Sequence, residues 1–267
     1  MHVSYEYILA GLVIVLVMNV VLVAMTDLFS QRLTALEEQN LLTNAEKIAD
    51  LILLSPGNPG DWGNTPSKEP TSFGLALENS LKDYSLDPYK ILRLLPNSTG
   101  YISPTRAREL LGLSENSQFS LKITPLLDVQ VAGNGRFTIT VRDRRGIAAP
   151  NVNITAFYVP KSLINESSYP AVTNMTQLDG KCVVNFQSKV DYVLVVLAEQ
   201  SFGKSLITYP QGFNFGVEGG LVYKSDVPFF TEINYSTGSF SGTSAKMIYR
   251  YVMIGELTYV VQFELME

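Results

Sequence analysis

Residues 2–54 contain no proline and a single glycine, Gly11, so nothing in this opening stretch forces a helix to break. A continuous helix of that length runs for about 80 Å at 1.5 Å per residue. Its first part, Tyr7 to Met25, is apolar apart from Asn19, which is about the length a bilayer crossing needs. An amphipathic, charge-bearing part follows, and it is expected to leave the lipid as a stalk. A spanning helix that continues outward in this way suits a subunit that packs against copies of itself.

The stalk presents two faces. Phe29, Leu33 and Leu36 fall on one stripe at 3.6 residues per turn. Leu41, Leu42, Ala45, Ile48, Ala49 and Ile52 form a second stripe, rotated by roughly 150° on the same wheel. Glu46, Lys47 and Asp50 are expected opposite that second stripe. The lower stalk is therefore expected to pack on neighbouring helices, and the upper stalk beneath its own domain.

Two prolines and three glycines between Ser55 and Gly63 end the helix. Trp62, the only tryptophan, is expected to anchor this turn in an apolar pocket with its indole N–H bonded nearby; a ligand-stacking role is the alternative. Asp87 and Ser103 each precede a proline and are expected to cap short helices, Pro88 to about Leu95 and Pro104 to Leu113. Arg106 and Arg108 read as the solvated face of the second, with a small phosphate or sugar patch as the alternative.

From Ser117 the apolar period shifts to two, as in Phe119-Ser120-Leu121-Lys122-Ile123 and Phe137-Thr138-Ile139-Thr140-Val141. Further strands are predicted at Val152 to Val159, Lys181 to Phe186, Tyr192 to Ala198, Ser205 to Tyr209, Gly220 to Tyr223, Met247 to Met253 and Leu257 to Phe263. Turn signals at Asp143–Gly146 and Asp179-Gly180 separate neighbours, as in an antiparallel sandwich. The predicted fold class is α+β, with residues 1–54 as a membrane-spanning helix that packs against copies of itself, 55–116 as a connecting segment with short helices, and 117–267 as an antiparallel β-sandwich head.

Composition narrows the function. The net charge of −5 argues against a nucleic-acid partner, which demands a basic face. One cysteine, Cys182, rules out an internal disulfide framework and a cysteine-rich metal site; within a Val-rich strand it reads as a small buried hydrophobe. The one histidine, His2, lies at the N-terminus, so no His-based triad can form in the head. Asp143 and Asp179 lack the clustered acidic run of a calcium loop, and Glu37-Glu38 diverge on the helix by 100°. No phosphate loop, metal spacing or nucleophile motif is present. Neither enzymatic activity nor a cofactor is expected.

Asn-X-Ser/Thr sequons begin at Asn97, Asn153, Asn165, Asn174 and Asn234, all beyond the apolar run. Read as acceptors of N-linked glycans, they put the C-terminal part outside the cell and the helix's N-terminus on the cytoplasmic side.

Glu6 stands at the edge of the apolar run, where a carboxylate is costly unless paired. An interfacial position near the headgroups is one reading; the free α-amine of a neighbouring chain as partner is the other. Here Val3-Ser4-Tyr5-Glu6-Tyr7 and the apolar helix after it resemble the archaeal type IV pilins, the class III signal peptide family. In that family a short basic leader is removed by a dedicated peptidase. Only Met1 stands before His2 in this sequence. The resemblance implies a mature chain starting at His2, with Glu6 as its fifth residue, aiding assembly through an adjacent subunit's N-terminal amine. Archaellins usually lack this glutamate. The similarity extends to Leu53–Trp62, Phe73-Gly74-Leu75-Ala76 and Leu86–Lys90.

Within residues 134–200, Val141–Gly146, Asn151–Thr155 and Thr176–Lys181 resemble an immunoglobulin- or prealbumin-like module. Together these resemblances imply a subunit of a type IV pilus-like extracellular filament, a self-polymer built on His2, Glu6, Phe29, Leu33 and Leu36, with a glycosylated head for adhesion or cell–cell contact. They also imply a pilus assembly machinery and a prepilin peptidase as partners, and residence in the cytoplasmic membrane before assembly. The runner-up expectation is a minor pilin or membrane-anchored surface binding protein that recognises a sugar or surface.

Overall fold

The computed structural model describes residues 2–162, 167–226, 229–238 and 245–266. One helix, α1 (His2–Leu54), runs unbroken through the opening stretch. Its upper end is docked: Leu41, Ala45, Ala49, Ile52 and Leu53 are buried, at the four- and three-residue spacing that keeps one helical face against a core. Ile48 is partly buried on the same core. Two details differ from expectation. Leu42 is exposed, because it lies 100° round the helix from the buried Leu41. Asp50 is not on the far side but on the flank of the packed face, bonded to Tyr84 and Arg250.

The turn after the helix folds back on its end. Leu75 N–H donates to the Ile52 carbonyl at 2.7 Å and Ala76 N–H to Ser55 at 3.0 Å, meeting carbonyls that a helix terminus leaves unpaired. The chain passes so closely here that Gly74 is required: a Cβ there would sit 2.3 Å from the Ser55 carbonyl oxygen. Trp62 is fully buried and donates its indole N–H to Gly74 O at 3.1 Å. Strand β1 (Ser85–Leu86) follows, then α2 (Pro88–Leu92) and α3 (Pro104–Leu110). Asp87 and Ser103 cap them as expected, but each helix stops about three residues early.

The remaining strands are β2 (Gln118–Pro125), β3 (Leu127–Asn134), β4 (Arg136–Asp143), β5 (Asn153–Pro160), β6 (Ser167–Ser168), β7 (Ala171–Met175), β8 (Lys181–Asn185), β9 (Tyr192–Gln200), β10 (Gly203–Tyr209), β11 (Phe215–Glu218), β12 (Leu221–Lys224), β13 (Ile233–Ser236), β14 (Ala245–Ile254) and β15 (Leu257–Met266). They form a β-rich body of several sheets. A five-stranded sheet, β1-β14-β15-β2-β13, lays its inner face over the top of α1 and the connecting segment. Phe119, Leu121, Ile123, Val261, Phe263 and Leu265 alternate onto that shared core. Its β1–β14 pair is parallel, where only antiparallel pairing was expected.

A three-stranded sheet, β3-β4-β8, and a four-stranded sheet, β10-β9-β5-β7, enclose a second core around Val141, Ile154 and Val196. A small sheet, β11-β12-β6, covers the other face of β5 and β9. That double cover explains Val193–Ala198, six consecutive buried residues in one strand, because a strand wet on neither face has no reason to alternate.

Candidate functional site

The lower part of α1 carries the strongest functional signal. From Leu9 to Leu36 every large apolar side chain is exposed; Phe29 is 65%, Leu33 59% and Leu36 56% accessible. None of the described residues of the body covers it, and an apolar rod projects beyond the folded head. Exposed apolar surface of this extent marks a site made for lipid or for another chain. Its length and composition suffice for a membrane crossing.

The uncharged Asn, Ser and Thr side chains along the rod bond to its own backbone. Asn19 donates its amide to Val15 O at 3.0 Å, Thr26 its hydroxyl to Leu22 O at 2.8 Å, and Thr34 to Ser30 O at 3.0 Å. A helix that enters an apolar medium needs this, since an unpaired donor there costs several kcal/mol. Phe29, Leu33 and Leu36 share one face as expected. His2 and Glu6 belong to the first turns of the helix, and their side chains lie outside the described residues, as does that of Glu37.

Comparison with protein-family models finds no match, and no curated protein is similar to the chain. The residues themselves carry the functional reading.

The sequons occupy different settings. Asn97 is exposed after α2. Asn153 is half-buried on β5, between β7 and β9. Asn165 lies outside the described residues. Asn174 is exposed on the edge strand β7, with its amide donating to Val183 O at 2.8 Å, and the hydroxyl of its partner Thr176 is buried, donating to Ala149 O at 2.7 Å. Asn234 is exposed on the edge strand β13, with its amide donating to Glu232 at 3.1 Å.

Other candidates resolve into structural roles. Arg106 pairs with Glu109 at 2.8 Å in solvent. The Asp143 carboxylate accepts the backbone N–H groups of Arg145 and Ile147, both at 2.9 Å, and thereby shapes its own turn. Asp179 accepts Lys181 N–H at 3.0 Å in the other turn. Cys182 is buried, and burial pushes its thiol pKa up.

What the sequence reading missed is a pair of buried cations at the joint between stalk and head. Lys90 Nζ donates to Ala76 O at 2.7 Å and Pro56 O at 2.9 Å, and lies 3.9 Å from Asp87. Arg93 donates to the carbonyls of Trp62, Gly100 and Lys68 and stacks 5.2 Å from the Trp62 ring. Desolvation lowers the Lys90 pKa, and the carbonyls and Asp87 compensate for it. The only local signal was two cations three residues apart in an otherwise apolar short helix. They clamp the loop after α1 onto the body.

Proposed function

We propose that this chain is a structural subunit of an archaeal type IV pilus-like extracellular filament, polymerising through α1. The observation that carries this reading is the uncovered apolar rod from Leu9 to Leu36, with Asn19, Thr26 and Thr34 bonded to its own backbone and its upper end packed on the core of a folded head. In the membrane before assembly the rod sits in lipid with the head outside. In the filament the same side chains pack against neighbouring rods, and Phe29, Leu33 and Leu36 supply the first contacts beyond the lipid. Glu6 is neutralised by the N-terminal amine of an adjacent subunit starting at His2, which makes helix transfer from lipid to bundle favourable. The contact is heterologous and does not close, which generates an open helix of subunits. The segment of residues 134–200 is an immunoglobulin- or prealbumin-like module that, with the glycans of the head, coats the exterior for adhesion or cell–cell contact. An assembly machinery and a prepilin peptidase are the partners this reading requires.

Apolar side chains cover α1 on every side between Leu9 and Met25, which suits permanent residence in lipid equally well. That favours a second reading, a minor pilin or membrane-anchored surface binding protein. Negative-stain microscopy of sheared cell-surface material separates them: filaments containing this chain support the first, and recovery only as detergent-extracted monomer supports the second. Glu6→Ala is expected to lower filament yield and leave the head folded. Unchanged yield removes the role given to Glu6.

A further inference from the structure

The outer face of the five-stranded sheet carries a cross-strand row that begins at a sequon. Asn234 on β13 pairs with Lys122 on β2, Lys122 with Gln262 on β15, and Gln262 with Tyr249 on β14. Directly opposed residues point to the same face of a sheet, and none of these four is buried. Three strand spacings make the row about 14 Å long, long enough for a short oligosaccharide.

Lys122, Gln262 and Tyr249 also line the floor of an open groove of about 1180 Å³, walled by β3, β10 and the turn at Asp143–Gly146. Arg144 from that turn reaches across to Tyr249, with its guanidinium carbon 4.3 Å from the ring centroid, and so closes the far end. At the near end, Glu232 holds both Lys122 Nζ, at 2.6 Å, and the Asn234 amide, at 3.1 Å. N-glycosylation leaves one hydrogen on that amide nitrogen, so the bond to Glu232 can persist and orient the linkage toward Lys122.

We propose that the glycan on Asn234 lies in this groove along Lys122 and Gln262 to Tyr249, instead of extending into solvent. The inference rests on the reading that the sequons are glycosylated. The chemistry is that of sugar recognition: the Lys122 ammonium, the Gln262 amide and the Arg144 guanidinium for hydroxyl groups, and space between two sheet systems that no side chain of the described residues fills. A glycan so placed bridges the helix-bound sheet and strands β3 and β10, and stiffens the head.

The test uses the protein purified from the cells that naturally make it, beside Asn234→Gln, Ser236→Ala and Asn97→Gln. Mass spectrometry of the peptide containing Asn234 reads its glycan; hydrogen exchange reads the backbone of β3, at 127–131, and of β14 around Tyr249. With the glycan present, both Asn234→Gln and Ser236→Ala are expected to raise exchange there at least fivefold, and Asn97→Gln to leave it unchanged. A glycan on Asn234 with equal exchange in all forms overturns the groove inference and leaves the glycoprotein reading intact. An unmodified Asn234 in the native protein overturns both at this site.

Discussion

Asp50 on α1 lies 3.4 Å from the Arg250 guanidinium on β14, two hundred residues away, and the same carboxylate oxygen accepts the Tyr84 hydroxyl at 3.2 Å. The pair marks where stalk and head register, but its partners are 39% and 29% exposed, so it orients more than it stabilises. Asp50→Ala is expected to cost about 0.5 kcal/mol, within the usual range for such pairs. Ile52→Ala, which empties a fully buried site two residues on, is expected to cost about 2–5 kcal/mol. Denaturant unfolding of the detergent-solubilised chain measures both.

Truncating Lys90 exposes a different energetic scale. Lys90→Ala leaves the carbonyls of Pro56 and Ala76 and the buried Asp87 without their cation, and is expected to destabilise the head by about 3 kcal/mol or more. Arg93→Lys, conservative by charge, is expected to fail as well, because an ammonium cannot reach three separated carbonyls as the planar guanidinium does. Protease cleavage in residues 55–75, compared between these variants and the parent chain, shows whether the joint has opened.

Alkaline pH should unfold the body through buried tyrosines. Burial pushes the Tyr259 phenol up to about 12, above its ordinary value near 10. The folded state thus keeps a proton that the unfolded chain loses, so stability is intact below pH 10 and falls between about 10 and 12. One such group contributes a slope of about 1.4 kcal/mol per pH unit there. Tyr235, also pushed up by burial, steepens the loss. Tyr259→Phe is expected to flatten the fall in melting temperature above pH 10.

Cys182 is expected to resist a disulfide-exchange reagent at pH 8 in the native protein and to react fully in guanidinium. Its burial raises the thiol pKa and blocks access together. Fast native-state labelling would show that β8 detaches from β4.

Much of the outline was legible from local chemistry. The absence of proline over residues 2–54 and the Asp87-Pro88 and Ser103-Pro104 caps act within a turn or two, and the structure has those elements where expected. Strands with one wet face announced themselves by alternation. Several short or exposed ones did not, although the four-residue β12 did: β7 has four of its five residues exposed, and β11 and β13 have four residues each. β3 alternates only in its first half before Gly133 and Gly135 interrupt it.

By itself, then, the sequence determined a long unbroken helix, its apolar span, its two stripes, and a strand-rich body with glycosylation signals. Sterics, capping and periodicity operate between residues close in the chain, so they can be read without knowing the fold. Tertiary structure alone decided which strands share a sheet, that β1 joins β14 in parallel, and that Lys90 and Arg93 are buried. It also decided that Asn234, Lys122, Gln262 and Tyr249 stand in one row. Most of those relationships join residues well separated in the chain, such as Leu86 and Ile254, and only packing against a common core brings them together.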